Sequence, residues 1–287
     1  MTPLKKDFPN DRRSSETILD YSCDKRFYDY YAKESESRET IERFNRIRDI
    51  VLRIRKEMNG SNEKLEVADI GCGAGTQSII WAKLGHNVHG LDVNKPLIQL
   101  GRKRVGGFDF AIKFWVGSAV DLPWPDESMD ICLVPELLEH VEEWQICLDE
   151  FTRVLKPMGI LFLTTSNKLC PIQQEFNLPM YAWYPKRLKR YFVHLAMTKR
   201  PDIVNHAKYP AVNWFTFYSL RDELMRRGYR SMDRFDLIDV SEKGTAVKLI
   251  LSLIRSVNLF RWLAHVATPY TIIVATKQDV GRAIDRC

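Results

Sequence analysis

The sequence predicts an α/β fold, a doubly wound and mostly parallel sheet of seven strands with helices on both faces. Short apolar runs alternate along the chain with segments of helical periodicity, and this alternation is typical of a parallel sheet that is covered on both sides. The first apolar run ends on a glycine-rich loop, and the second ends on an acidic residue. With 287 residues, 45% of them apolar and 28% charged, the chain is large enough to bury such a core.

Each element has a local signal in the sequence. Apolar side chains recur at helical spacing over 27–58, and Asn94 caps a helix that carries Pro96 in its first turn. The predicted strands are 65–70, 88–91, 112–116, 129–134, 160–165, 231–240 and 270–276, and further helices are predicted at 76–84, 219–227 and 244–267.

One domain is predicted over 27–287, preceded by a flexible polar N-terminus at 1–26. It contains a basic and aromatic insert at 168–213, after the fifth strand, where inserts in this kind of fold commonly form a lid. The segment 168–210 accounts for the whole net charge of +6, and elsewhere acidic and basic residues balance. This charge suits phosphate on lipid headgroups or on a substrate, while single-stranded RNA and a plain solvated surface remain alternatives.

The second unusual segment is a predicted amphipathic helix at 244–267. Its polar residues form a narrow stripe and its apolar residues fill the remaining surface. Such a helix is buried, forms a dimer contact or lies in a membrane interface, and the sequence leaves these alternatives and the oligomeric state open. Together with the basic insert it motivates the hypothesis of an anionic membrane surface as a partner, through 168–210 and 244–267.

Cysteine usage and hydropathy indicate a cytoplasmic protein, with peripheral membrane contact as the alternative. None of the six cysteines forms a C-x-x-C pair, so we expect a reducing compartment rather than a disulfide framework or zinc ribbon. Residues 1–13 carry no apolar run of the secretory type, and no uncharged apolar stretch reaches the length of a membrane span.

The glycine loop Gly71-Cys72-Gly73-Ala74-Gly75 predicts a nucleotide-binding site. It follows a strand and opens a helix, where glycine lets a ligand approach the backbone closely. Asp69 precedes the loop, and Asp92 ends the next strand about 20 residues later, where an acidic side chain can accept both hydroxyls of a ribose. The lysine of the phosphate-binding loop and the third glycine of nicotinamide enzymes are missing, which argues against both of those classes.

At this point the sequence resembles class I S-adenosylmethionine-dependent methyltransferases. The run 67–76 is similar to their motif I, Asp92 matches their ribose-binding acid, and 117–124 resembles their adenine-contacting segment, with Ser118 where Asp is usual. Residues 155–159 resemble their L-K-P-G-G turn. The resemblance implies a Rossmann-like methyltransferase fold and S-adenosylmethionine as cofactor. The cofactor-binding residues that it implies in these segments are Asp69, Gly71, Cys72, Gly73, Asp92, Val93, Ser118 and Ala119.

Two carboxylates and an imidazole follow the fourth strand. If Pro135 begins a helix, then Glu136, Glu139 and His140 share one face of it, beside the cofactor site. Such a set can hold a divalent cation, Mg²⁺ rather than Zn²⁺ on its oxygen ligands, or His140 can act as a general base. Acidic residues at a helix start are also favoured by the helix dipole alone, so the residues by themselves leave these alternatives open.

The same run, E-x-x-E-H, resembles the ubiquinone-biosynthesis O-methyltransferase family, in which these positions are metal ligands. That resemblance implies Glu136, Glu139 and His140 as a metal site, with Glu139 and His140 catalytic, and it places Pro135 at the cofactor pocket. Residues 45–48 resemble the N-x-x-R of that family, in which the arginine, here Arg48, contacts the methionine carboxylate.

The function that the resemblance implies is O-methylation of a small molecule that is quinol- or phenol-like, either free or lipid-linked. O-methylation of a sugar or lipid-linked glycan hydroxyl is the alternative among enzymes, and a non-catalytic scaffold of a membrane enzyme complex is the alternative from another class. Nucleic acid is disfavoured as a partner, because the N/D-P-P-Y/F signature and a Pro-Cys nucleophile are both missing after strand four.

Overall fold

The computed structural model describes residues 25–58, 63–172, 176–204 and 211–279. The flexible segment predicted at 1–26 lies almost entirely outside the described residues, as do Glu175 and Lys208 of the basic insert. The described helices are α1 (Lys25–Glu34), α2 (Arg38–Glu57), α3 (Thr76–Ala82), α4 (Lys95–Val105), α5 (Trp144–Val154), α6 (Lys186–Thr198), α7 (Phe217–Arg226), α8 (Thr245–Ser256) and α9 (Asn258–Val266). The strands are β1 (Glu66–Ile70), β2 (Asn87–Asp92), β3 (Ile112–Val116), β4 (Met129–Pro135), β5 (Leu155–Ser166), β6 (Tyr229–Asp233) and β7 (Tyr270–Lys277).

The seven strands form one sheet in the order β3-β2-β1-β4-β5-β7-β6. Strands β1 to β5 pair in parallel, and β7 runs antiparallel to both β5 and β6. The interior strand β1 is almost fully buried because it has a strand on either side and helices on both faces. The predicted doubly wound and mostly parallel sheet is therefore confirmed.

Two apolar cores lie on the sheet. In one, Phe151 of α5 and Leu220 of α7 pack against β4, β5 and β7. In the other, Val51 of α2 and Trp81 of α3 pack against β1, β2 and β4. Because both faces are covered, the free ends of the strands are the places where ligands can reach the sheet.

Three predicted elements differ from the structure. The helix predicted over 27–58 is two helices, because Ser37 accepts a hydrogen bond from the backbone N–H of Thr40 and caps a new start. The strand predicted at 231–240 ends at Asp233, whose Oδ1 accepts from the N–H groups of Phe235 and Asp236 and turns the chain. The helix predicted at 244–267 is broken at Val257 into α8 and α9.

Within the described residues, no single helix is both long and apolar enough to cross a bilayer. Helices α8 and α9 reach that length and composition only when taken together, across a bend of 107°.

The insert forms a small unit with its own aromatic core. The rings of Phe176 and Tyr181 stack with centroids 3.9 Å apart, and Trp214 meets Tyr181 edge-on. Its two ends meet at the end of β5, where the N–H of Lys168 donates to the carbonyl of Phe215 over 2.7 Å. The insert therefore leaves and re-enters the fold at the carboxyl edge of the sheet.

Candidate active site

The glycine loop after β1 is held in a conformation that favours glycine. Gly71, Gly73 and Gly75 have φ values of 79°, 51° and 78°. A Cβ on Gly75 would lie 2.6 Å from the ring of Phe114, so that position is closed by the protein itself. A Cβ on Gly73 would meet nothing nearer than Leu97 Cδ1 at 4.0 Å, so the backbone at Gly73 borders open space that a ligand can enter.

Asp92 lies beside this open glycine. Its Oδ2 accepts a 2.8 Å hydrogen bond from the N–H of Gly73, and its Oδ1 accepts one of 2.8 Å from the N–H of Asn94. Desolvation raises the pKa of Asp92, and these two backbone hydrogen bonds oppose the rise. The bonds fix the carboxylate at the end of β2 and leave further lone pairs for ribose hydroxyls.

Asp69 supports the loop from inside the protein. It is buried, and its Oδ2 accepts from the hydroxyl of Ser78 over 2.6 Å, at the start of α3. Burial raises its pKa to about 7, the hydrogen bond from Ser78 lowers it, and the charge of Asp92 adds to the rise. The geometry thus gives Asp69 a positioning role on α3, whereas the sequence predicted a direct cofactor contact.

The remaining predicted cofactor residues lie near the same edge and differ in what they expose. Cys72 is buried, and its thiol packs toward Gly90 and Phe114, so it offers only backbone to a ligand. Ala119 is buried in the core, Ser118 is half-buried in the loop after β3, and Val93 is exposed. The N–H of Gly117 donates to the carbonyl of Asp92 over 3.1 Å, which joins the loops after β2 and β3.

The segment after β4 is not the predicted helix. Pro135 ends the strand, Glu136 has a positive φ of 53°, and only a single 3-10 turn follows, at Leu138–His140. Glu136, Glu139 and His140 therefore do not share a helix face.

The three side chains also differ in environment. Glu136 pairs with Arg43 of α2, Glu139 is buried with 1% of its surface exposed, and His140 is exposed. Within the part of the chain that the structure describes, no group of three or more His, Cys, Asp or Glu side chains is arranged to hold a metal ion. The predicted metal set does not fit a cation in this arrangement, because its carboxylates diverge and one of them already faces an arginine.

Arg43 is a site residue that sequence reasoning missed. Its Nη1 donates to Glu136 Oε1 over 2.7 Å, which joins α2 to the end of β4. The predicted clamp, Arg48, instead donates to Asn45 and Asp49, its neighbours on α2. The available signal was the spacing of Arg43 four residues before the buried Ile47, which puts both on the inward face of the helix.

His140 keeps an accessible imidazole at this edge. Desolvation lowers its pKa to about 4, and the charge of Glu136 opposes the shift. The ring is consequently neutral at pH 7 and able to accept a proton.

The 3-10 turn that carries His140 is held by the far end of the insert. Asn213 Nδ2 donates to the carbonyls of Leu138 and Val141, and the N–H groups of Val212 and Asn213 donate to the carbonyl of Glu139. The insert and the carboxyl edge of the sheet are thus one connected structure, which the sequence did not predict.

Parts of this chain are similar in sequence to known proteins. Residues 68–163 match the family model described as "Methyltransferase domain". The chain is 34% identical over 125 residues to a demethylmenaquinone methyltransferase of Clavibacter sepedonicus, covering 43% of this chain and 51% of that protein. It is 30% identical over 151 residues to a ubiquinone biosynthesis O-methyltransferase of Chelativorans sp. (strain BNC1), covering 50% and 57%. The chain thus spans about half the length of the curated relatives it matches.

Solved structures agree on the fold. A SAM-dependent methyltransferase from Aquifex aeolicus superposes with a TM-score of 0.51 at 15% identity, over 85% of this chain and 96% of that one. A chain of the Haloferax volcanii complex between the Trm112 methyltransferase activator and a methyltransferase gives 0.52 at 17% identity, over 88% and 98%. The two structures share the fold of this chain, and the domain match includes the glycine loop and Asp92.

Proposed function

We propose that this chain, whose residues 68–163 form a methyltransferase domain, transfers the methyl group of S-adenosylmethionine to a hydroxyl oxygen of a small quinol- or phenol-like molecule. The observation that carries the proposal is the cradle formed by the open backbone of Gly73 and the fixed carboxylate of Asp92. It suits an adenosine, because an acidic side chain there can accept the ribose hydroxyls while the glycine admits the ligand to the loop.

Residues at the ends of β1 to β4 are proposed to bind different parts of the cofactor. Asp92 holds the ribose, and Gly73 and its neighbours border the rest of the nucleoside. Ser118 and Val93 line the side where an adenine would lie, next to the exposed end of β3. The cofactor supplies a methyl group that is already activated by its bond to a sulfonium sulfur. The protein therefore contributes mainly alignment and proton removal.

His140 is the group proposed to remove the proton. A phenol has a pKa near 10, so it is mostly protonated at pH 7. As the acceptor oxygen forms its bond to the methyl carbon, the carbon–sulfur bond breaks with its electron pair on sulfur, and the hydroxyl proton passes to the neutral imidazole. Glu139 has no place in this step, because its side chain is buried.

The proposed class of methyl acceptor is taken from the names of the relatives. The two described above are named for demethylmenaquinone and for ubiquinone biosynthesis, so each name refers to a quinone. No step is assigned to magnesium, because the three predicted ligands do not form one donor set.

A radiolabelled methyl-transfer assay tests the proposal. Purified protein is incubated with methyl-labelled S-adenosylmethionine and a panel of quinols, catechols and sugars, with and without a chelator. We expect label in a phenolic ether, unchanged by the chelator. Asp92→Ala should weaken cofactor binding by about tenfold to hundredfold, the loss expected for a charged hydrogen-bond acceptor.

Asp109→Ala is the matched control, because Asp109 is an exposed aspartate away from the strand ends. If only the sugars become labelled, the proposed acceptor is a sugar hydroxyl and not a phenol. If the protein binds the cofactor but transfers no methyl group to any compound of the panel, the enzymatic proposal is contradicted and a scaffold is favoured.

A further inference from the structure

Nine of the exposed large apolar side chains in the described residues lie on or between α8 and α9. The members of this apolar surface are large aliphatic or aromatic side chains that are each at least 39% exposed. They are Val247, Leu249, Ile250, Leu253, Val257, Leu259, Phe260, Trp262 and Leu263. Soluble proteins rarely leave so many such side chains uncovered in one place, and patches of this kind usually mark an interaction site.

The fold holds this surface firmly. Arg255 donates to the carbonyls of Phe235 and Ile238, which anchors α8 to the turn after β6. Arg261 and His265 both donate to the buried carboxylate of Asp233, which anchors α9 to the end of the same strand. Arg255, Arg261 and His265 therefore face the protein, and the large apolar side chains remain outside.

The surface lies at the same edge of the sheet as the cofactor cradle. Strand β6 is parallel to β5, because each is antiparallel to β7, so Asp233 ends β6 at the carboxyl edge. At the other end of the two helices, Asn167, the first residue after β5, donates to the carbonyls of His265 and Thr268. The two helices and the basic insert thus both join the sheet at the edge that carries Gly73 and Asp92.

The charges of residues 244–267 and of the insert indicate what kind of partner covers this apolar surface. Residues 244–267 contain no carboxylate, and their Lys248 is exposed, whereas Arg255 and Arg261 turn toward the protein. Helix α6 of the insert contains four Lys or Arg and no carboxylate. In α6 the apolar Leu188 and Tyr191 are exposed among exposed cations. In a two-fold dimer this surface would meet a copy of itself, and residues 244–267 of the copy would offer no carboxylate to the exposed Lys248 or to the cations of α6. An anionic bilayer offers the complementary charge together with an apolar interior.

We propose that α8 and α9 dock this protein on the surface of an anionic lipid bilayer, with the basic helix α6 alongside. The bend of 107° between two helices too short to span lets them lie in the interface rather than cross it. Docking brings the carboxyl edge of the sheet to the membrane, so a quinol-like acceptor can pass from the lipid to the site. This last consequence rests on the function proposed above, whereas the docking itself does not.

Vesicle flotation of the full chain tests the docking. The protein is mixed with vesicles of phosphatidylcholine alone, or of phosphatidylcholine with phosphatidylglycerol. We expect the wild type to float with the anionic vesicles. The double variant Leu249→Gln/Leu259→Gln changes side chains that are 63% and 62% exposed, and it should bind on the order of tenfold less.

The matched control is Leu84→Gln/Met225→Gln, which removes two side chains that are 48% and 62% exposed. They precede the starts of β2 and β6, so they lie at the opposite edge of the sheet, and this variant should float like the wild type. Circular dichroism and cofactor titration should show that both variants are folded.

The docking proposal is overturned if the wild type stays with the buffer, or if the α8–α9 variant floats as well as the control. It is also overturned if light scattering shows a dimer that the α8–α9 variant dissociates while vesicles bind neither protein. Flotation needs no turnover, so its failure is distinct from a failure of methyl transfer, which a water-soluble quinol tests without lipid.

Discussion

Gly73 is the residue whose environment most directly indicates a ligand. The three glycines of the loop share positive φ values, but the protein itself crowds two of them. A Cβ at Gly71 would lie 3.3 Å from Leu137, and one at Gly75 would enter the ring of Phe114. Only at Gly73 does the missing side chain leave open space, and the carboxylate of Asp92 borders that space.

Replacing Gly73 by alanine should therefore separate folding from cofactor binding. The left-handed conformation should cost the variant roughly 1–2 kcal/mol of stability, and the new methyl group should obstruct the cofactor. Gly85→Ala is the matched control, because Gly85 has a φ of 87° with nothing within 4 Å and lies beyond α3. We expect similar losses in thermal stability for both variants and a loss of S-adenosylmethionine affinity, measured by calorimetry, for Gly73→Ala alone. Equal affinities would contradict the position assigned to the cofactor.

The low pKa of His140 predicts an unusual dependence of the methyl-transfer rate on pH. A general base works in its neutral form, and the pKa of His140 is lowered to about 4 by desolvation. The neutral form therefore dominates above about pH 5 and is lost only as pH falls through about 4. The rate constant of methyl transfer should stay level through pH 6.5, and His140→Asn should lower it by about 10²- to 10⁴-fold. A wild-type midpoint near 6.5 would contradict the environment described for the ring.

At the scale of elements, sequence patterns predicted the sheet well because its signals are local. Apolar runs bounded by turn residues predicted all seven strands, and the glycine loop with Asp92 predicted the edge where the structure has open backbone beside a carboxylate. Strand ends were predicted less well. No sequence pattern near Glu136 indicates its positive φ. Arg43, and not the predicted Arg48, contacts Glu136 because of the way in which α2 is rotated against β4.

The break between α8 and α9 has a tertiary cause. In a straight helix, residues 255 and 261 would be about 9 Å apart along the axis and on different faces. The turn after β6 offers them neighbouring partners, the carbonyls of Phe235 and Ile238 for Arg255 and the carboxylates of Asp233 and Asp236 for Arg261. The bend at Val257 lets both arginines reach that turn, and no glycine or proline marks the position in the sequence.

Asp233 should be the main anchor of α9. It is fully buried, and its Oδ2 accepts from Arg261 Nε over 2.7 Å and from His265 Nε2 over 2.9 Å. Asp233→Asn should lower the free energy of unfolding by about 3–5 kcal/mol, because Arg261 loses its buried counter-charge. Asp239→Asn is the control, since Asp239 is 59% exposed and lies 3.9 Å from Arg53, and it should cost less than about 1 kcal/mol. Urea denaturation at pH 7 measures both, and similar losses would contradict the anchoring role.

The same carboxylate predicts how stability depends on acid. Burial raises the pKa of Asp233, but the hydrogen bonds from His265 and Arg261 outweigh it and lower the pKa to about 2. An aspartate in the unfolded chain has a pKa near 3.9. The stabilisation is therefore present above about pH 4 and is lost as pH falls toward 2. In Asp233→Asn this contribution is missing, so the gap in stability between the two proteins should narrow in that window.

At the scale of the whole molecule, the cofactor site draws on much of the fold. The loops after β1, β2, β3 and β4 converge on it. Arg104 of α4 donates both to the carbonyl of Ala74 in the glycine loop and to the carbonyl of Ala32 in α1. Because β1 pairs with both β2 and β4 in one continuous sheet, a ligand bound at this edge is linked to the unfolding of the whole sheet.

Thermal unfolding should therefore show one transition that S-adenosylmethionine moves upward. A ligand that binds only the folded state contributes about 2.7 kcal/mol at 100 times its Kd, which corresponds to several degrees for a chain of this size. The shift should grow with cofactor concentration in the wild type and should need higher concentrations in Gly73→Ala. Scanning calorimetry measures both the number of transitions and the shift. Two transitions, of which the cofactor moves one, would show that the insert and α8–α9 unfold apart from the sheet, against the single domain predicted over 27–287.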